Sequence, residues 1–273
     1  MQRLLIPALL LLAALGCSES ESIDMPSPPS AAEPIADTGP GSDGRNDDGE
    51  VITMPRSGAK ITSNPIHIEG TARTFENNVS IRVVGDNGRE ILSTFTTASG
   101  EMGNYNPFAT DLWLTRDPGR NFTIQSVEYS ARDGSPRLLD SISVENRIEP
   151  IEVELFFPKN APQDCTRVEP LKRVIPKSEA MGELIIRALM RGPTPEEASV
   201  GLTNPFPSGA RLGSVAMNGN ILVADFSSGM GNVGGSCRAQ SIRASLEKTL
   251  KALPTVSNVR ILASGDEATA LQP

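Results

Sequence analysis

Between Val51 and Val144 apolar and polar positions alternate in short runs: Ile66-His67-Ile68, Val79 to Val83, Phe108 to Leu114, Phe122 to Tyr129 and Leu139 to Val144. Asp86-Asn87-Gly88, Asp117-Pro118-Gly119 and Asp133-Gly134 punctuate them. Period-two alternation broken by turn residues every ten or so positions predicts an antiparallel β-sandwich. The pattern changes after Glu149-Pro150. Strands are expected over Ile151 to Phe157 and Arg167 to Ile175. A helix capped by Ser178 follows, with a stripe of Met181, Leu184, Ile185, Ala188 and Leu189. Gly192-Pro193 ends it. Thr194 and Glu197 stand at capping-box spacing around Pro195 and open a short helical turn. Leu212 to Met217 and Ile221 to Phe226 flank Asn218-Gly219-Asn220 as a hairpin. A second helix presents Ile242, Leu246, Leu250 and Leu253, and Val259 to Leu262 forms a last strand. The order β-β-α-β-β-α-β predicts an α+β layer domain, so the whole chain is α+β.

The chain begins with a different pattern. Residues 1–17 carry one early charge, Arg3, and an apolar core from Leu4 to Leu15, which is an export signal too short to span a bilayer. Its end, Ala14-Leu15-Gly16-Cys17, resembles a bacterial lipobox, which implies lipidation of Cys17 and attachment to the extracytoplasmic face of a membrane; ordinary cleavage nearby with a free Cys17 is the alternative. Residues 18–50 are rich in Ser, Pro, Gly, Asp and Glu and read as a disordered acidic tether. The formal net charge of the whole chain is −8. The tether accounts for essentially all of it, which leaves residues 51–273 close to neutral. Without a basic cluster, nucleic acid is not an expected partner.

The remaining layout is a sandwich over 51–148, an α+β domain over 149–265 and a disordered tail over 266–273. From Ile151 to Gly265 the chain resembles the GerM-type domain of sporulation and spore germination, through IEVELFF, ALMRGPTPEE, GLTNPFPSGARLGSV, VADFS and VSNVRIL. Residues 51 to about 148 resemble the immunoglobulin-like domain of bacterial spore germination, through PRSGAKITSNPIHIEGTARTFENNVSIRVV. The resemblance implies a non-catalytic, envelope-associated module that helps to assemble or regulate surface complexes.

With Cys17 assigned to lipid, Cys165 and Cys237 form an even pair in an exported chain, hence a disulfide candidate; two separate thiols or half a metal site are the alternatives. His67 is the only histidine and has no cluster of ligands around it, so neither a metal nor a cofactor is expected. Alternation turns His67 outward. No G-x-S-x-G elbow occurs. The acid pairs Glu152/Glu154 and Glu196/Glu197 have structural explanations on a strand face and at a helix start. No catalytic residue is assigned. Phe206, between Pro205 and Pro207, is a candidate rigid contact for another envelope protein, with packing against the nearby helix as the alternative. A second reading of function is a peptidoglycan-binding or hydrolysing accessory using aromatics such as Tyr105 and Trp113. Oligomeric state is open. Finally, GMGNVGGSC (229–237) matches G-x-G-x-x-G but lacks the parallel β-α-β context and a ribose-binding acid, since Glu247 falls inside the helix. It is expected to be a flexible loop that brings Cys237 to Cys165.

Overall fold

A computed structural model describes residues 49, 51–160, 164–231 and 233–272. Cys17, the signal segment and, apart from Gly49, the 18–50 tether lie outside the described residues.

The first domain is a sandwich of two sheets. One holds β1 (Val51–Met54), β3 (Ile66–Ala72) and β6 (Asn106–Leu112) in the order β1-β3-β6; the other, in the order β2-β8-β7-β4-β5, holds β2 (Lys60–Ile61), β4 (Asn78–Gly85), β5 (Glu90–Thr97), β7 (Asn121–Tyr129) and β8 (Pro136–Asn146). All pairings are antiparallel except β2 with β8, which is parallel. Strand alternation works as the sequence implies: Ile66 and Ile68 point inward from β3 while His67 and Glu69 are exposed, and Val79, Ile81 and Val83 of β4 share one core with Ile124 and Ile142 of the same sheet. One buried acid joins the two sheets. Asp140 on β8 is fully buried, and its Oδ2 accepts the Ile52 N–H of β1 at 2.7 Å while Oδ1 accepts the Ser141 N–H at 2.8 Å. A charged acceptor satisfies an amide that the edge strand would otherwise leave unpaired.

In the second domain, β9 (Pro150–Pro158) and β10 (Val168–Pro176) form an antiparallel ribbon, followed by α1 (Met181–Arg191) and α2 (Pro195–Ser199). The hairpin β11 (Leu212–Asn218) and β12 (Ile221–Phe226) turns through Gly219-Asn220, with Gly219 at φ 63°, a left-handed conformation that favours glycine. Then α3 (Ser236–Lys251) crosses over to β13 (Asn258–Ala263), which lies parallel to β12. Both main helices bury their stripes, Leu184, Ile185, Ala188 and Leu189 on α1 and Ile242, Leu246 and Leu250 on α3, against Leu155, Phe157, Leu222 and Ile261. The element order is the expected one, and α2 is the short helical turn expected from the Thr194–Glu197 capping box.

Several local expectations are corrected. Ser178 does not cap α1: the helix starts at Met181 without a side-chain cap, and the Ser178 hydroxyl instead donates to Asn64 O while accepting the Ala180 N–H. Leu253 lies beyond the end of α3, although it still packs on the core. The 266–273 tail is ordered as far as Gln272. Ala270 and Leu271 are buried, and the amides of Leu271 and Gln272 donate to the carbonyls of Met230 and Gly231. The glycine loop is likewise anchored: Met230 and Val233 are buried, and a Cβ at Gly229 would collide with the backbone of Gly209. Two of the loop's apolar side chains enter the core, which flexible glycine-rich chain would not do.

The two domains are docked through polar groups at a seam. Asn64, 4% exposed, donates from Nδ2 to Leu114 O (3.1 Å) in its own domain and to Pro176 O (2.9 Å) at the end of β10, while its Oδ1 accepts the Leu114 N–H at 2.9 Å. The Ser178 hydroxyl reaches the Asn64 carbonyl at 2.5 Å from the second domain. Arg191 at the end of α1 donates from Nη1 and Nη2 to Ser93 O of β5, and Arg89 pairs with Glu196 at 3.3 Å. The Arg191 contact also occupies a carbonyl on the free edge of β5, where another strand would otherwise add.

Candidate functional site

A cleft of about 410 Å³ opens between the domains. One wall comes from β5 and from β6 with the chain after it: Ser93, Asp111, Trp113 and Thr115. The facing wall comes from α1 and the 204–212 segment, with Arg187, Arg191 and Arg211 as its cations. Interdomain crevices of this size are common ligand sites.

Each side chain is held by local structure. Trp113, just past β6, packs partly against the core of the second domain, and the Arg187 guanidinium lies 5.0 Å from its ring centroid. A cation over an indole face is attracted by the ring's quadrupole. Arg187 is aimed there by Glu183, one turn earlier on α1, whose carboxylate accepts from its Nε and Nη2 at 2.9 and 2.7 Å. Burial, and second the nearby Arg116, push the Arg191 guanidinium below its ordinary pKa. Arg211 donates to Ser208 O and Ala210 O of its own loop. Asn204 positions that loop, donating to Met190 O and accepting the Phe206 N–H.

Phe206 is only 6% exposed and belongs to the core of the second domain. Its expected role as a partner contact is therefore corrected: flanking prolines direct the ring inward, and it forms part of the cleft's base.

Cys165, in the β9–β10 connection, and Cys237, in the first turn of α3, form a disulfide with Cα atoms 5.0 Å apart. The adjacent Ser241 hydroxyl donates to Cys165 O at 2.8 Å, a second tie between helix and connection. On the outer face of the first domain, His67 bridges Asp111 (Nδ1, 2.8 Å) and Glu69 (Nε2, 3.1 Å), and these two carboxylates raise its pKa, Asp111 most. Of the candidate acids, Glu152 pairs with Lys172 at 2.8 Å, Glu196 with Arg89, and Glu197 with the buried Arg173 at 2.5 Å, while also closing a capping box with Thr194. These carboxylates are occupied in holding structure. Tyr105 packs under Arg73 at 4.9 Å and does not line the cleft that holds Trp113. A second, more apolar groove of about 440 Å³ lies between the start of α1, the β11–β12 hairpin and the chain after α3, with Met181, Val215, Met217 and Leu253 among its walls. Sequence reasoning missed Asn64, Arg116, Arg173 and Arg191 as seam residues; the only signal was that polar side chains interrupt otherwise apolar strand and helix ends.

Among the described residues no group of three or more His, Cys, Asp or Glu side chains is placed to hold a metal, and no helix is long and apolar enough to cross a membrane.

Fold and seam together define a two-module chain, an immunoglobulin-like sandwich docked on a disulfide-closed α+β domain. Residues 51–135 match the family described as the immunoglobulin-like domain of bacterial spore germination, and residues 154–269 match the family described as sporulation and spore germination. The chain is thus a GerM-type, germination-related protein that carries both domains in this order. Among solved structures, the first GerMN domain of the sporulation protein GerM from Bacillus subtilis is similar at 21% identity and TM-score 0.35, covering 42% of this chain and 84% of that one. The tandem GerMN domains of the same protein match at 21% identity and TM-score 0.34, covering 43% of this chain and 40% of that chain. No curated protein matches the chain.

Proposed function

We propose that this chain is an envelope lipoprotein, anchored through Cys17 on the extracytoplasmic side of a bacterial membrane, that works by binding other envelope proteins and not by catalysis. The observation that carries the reading is the pairing of two germination-family domains in one chain. Docking across hydrogen bonds from Asn64, Ser178 and Arg191 supports it, since a fixed relation between two modules presents one composite surface to a partner. The engagement of the candidate acids in ion pairs and caps is consistent with a binding role. One anchored acyl group on Cys17 gives weak attachment and further chains make it firm, at about 0.8 kcal/mol per buried methylene.

Photo-crosslinking in native membranes tests this. A photoreactive residue at Arg211, on the cleft rim, should give discrete protein adducts when Cys17 is intact. The Cys17→Ser chain should leave the membrane fraction and lose them. Release of muropeptides from purified peptidoglycan by the soluble chain would overturn the non-catalytic reading.

A further inference from the structure

Three buried polar atoms at the seam have no hydrogen-bond partner: Thr115 Oγ1, Arg116 Nε and Arg173 Nη1. They belong to one neighbourhood. Thr115 and Arg191 line the same cleft, and Arg116 follows Thr115 in the chain. Arg173, on β10 and 8% exposed, sends Nη2 to Glu197 Oε2 and to the carbonyl of Gly192, the residue after Arg191, and leaves Nη1 unused. Arg116 makes no hydrogen bond or ion pair among the described residues.

Charge makes the gap more costly than three missing hydrogen bonds. Arg116 lies within electrostatic range of Arg173 and of Arg191, and burial first, then Arg173, depress its pKa. The carboxylates facing this cluster are Glu197, already bound to Arg173, Glu196, which is 67% exposed and paired with Arg89, and Glu90, exposed on β5. Glu197 is thus the acid shared by Arg116 and Arg173, Arg191 has only Glu90 nearby, and Asp111 on the cleft wall is taken by His67. Arg116 is only half-buried, but its buried Nε has no acceptor and the nearby carboxylates are engaged elsewhere, which is unfavourable; a water molecule would supply the acceptor without the charge. Guanidinium groups bind carboxylate and phosphate groups through paired N–H donors.

We propose that Arg116 and Arg173, with Thr115 and Arg191 on the adjoining cleft wall, bind one small oxyanion, a phosphate or carboxylate group. Arg116 and Thr115 come from the first domain, Arg173 and Arg191 from the second. Such a ligand therefore bridges the domains and strengthens their docking. A phosphate on a lipid head group or wall polymer and a carboxylate on a peptide share this chemistry.

The test is thermal unfolding of the full chain in detergent, titrated with inorganic phosphate, with acetate, and with sodium chloride at matched ionic strength. A ligand that binds only the folded state raises the midpoint in a saturable way, here by about 5 °C at a hundredfold excess over its dissociation constant. A response to phosphate alone points to phosphate-bearing ligands, and one to acetate alone points to carboxylates. Arg116→Gln should unfold at the same or a higher temperature without anion, because it removes repulsion, and should lose the response. Thr115→Val, which keeps the side-chain shape, should raise the half-saturating concentration about tenfold. The proposal is overturned if neither anion exceeds sodium chloride, or if both variants respond like the parent.

Discussion

Asn64→Ala should separate the two domains' unfolding. The side chain is buried and makes three hydrogen bonds, to the N–H and carbonyl of Leu114 and to the carbonyl of Pro176. Alanine removes all three and leaves three main-chain groups in a site that excludes water. At about 1 kcal/mol per hydrogen bond, and up to roughly 3 where a buried group stays unpaired, the loss is about 3–4 kcal/mol. The bond to Pro176 belongs to the seam alone, so part of the loss falls on docking and part on the sandwich. Trp113 is the only tryptophan and lies at the seam with Arg187 above it, so its fluorescence reports domain contact. Urea unfolding followed by that fluorescence and by far-ultraviolet circular dichroism should coincide in the parent. In Asn64→Ala the fluorescence transition should come first, at lower urea. Ser178→Ala removes the seam bond to the Asn64 carbonyl and the acceptor of the Ala180 N–H, both outside the sandwich sheets, and should cost about 2 kcal/mol in the fluorescence transition. Coincident transitions in Asn64→Ala with a loss under about 0.5 kcal/mol would refute the idea that this residue couples the domains.

Replacing both Cys165 and Cys237 by serine opens a crosslink spanning 72 residues and should cost about 4 kcal/mol in the chain-entropy model; peptide maps with and without reductant should differ at these cysteines, and unchanged stability after reduction would contradict it. His67 should titrate above 6.5, because Asp111 and Glu69 favour its charged form. Its contribution to stability is then complete below pH 6.5 and is lost as pH rises through the folded value. As the only histidine, its ring resonance is unambiguous by NMR, Asp111→Asn should lower the midpoint, and a parent midpoint at or below 6.5 would count against the bridge.

Strands were legible in the sequence where burial on one face is strict. On β3, β4 and β7 the inward positions Ile66, Ile68, Val79, Ile81, Val83, Phe122 and Ile124 alternate with polar His67, Glu69, Ser80, Arg82, Thr123 and Gln125, so period-two alternation marks them. On β5 only Leu92 is buried among threonines and serines, and β2 has two residues, so neither carries enough pattern. The helices of the second domain were legible for the same reason, with a period of 3.6. Their ends were not: Ser178 has the right type and place for a cap, yet its hydroxyl is taken by Asn64, 114 residues away in the chain. The tail reads as disordered because DEATALQP has few apolar residues, but main-chain hydrogen bonds to Met230 and Gly231 hold it and Leu271 is buried.

The same limit explains why the cleft was invisible while the disulfide was not. Two cysteines left over in an exported chain constrain each other wherever they fall, so counting suffices. Arginines do not. Arg116 stands in the β6–β7 connection, Arg173 on a strand and Arg191 at the end of a helix, where a solvated side chain is the ordinary outcome. Only the docking of the sandwich against α1 and β10 withdraws them from water. That docking leaves Arg116 without a carboxylate although Glu196 is near, because Glu196 turns outward to Arg89. Had stability alone shaped this seam, an apolar side chain at position 116 would serve better than an unpaired guanidinium. A bound oxyanion would supply the acceptor and the negative charge that the seam's own groups do not give Arg116.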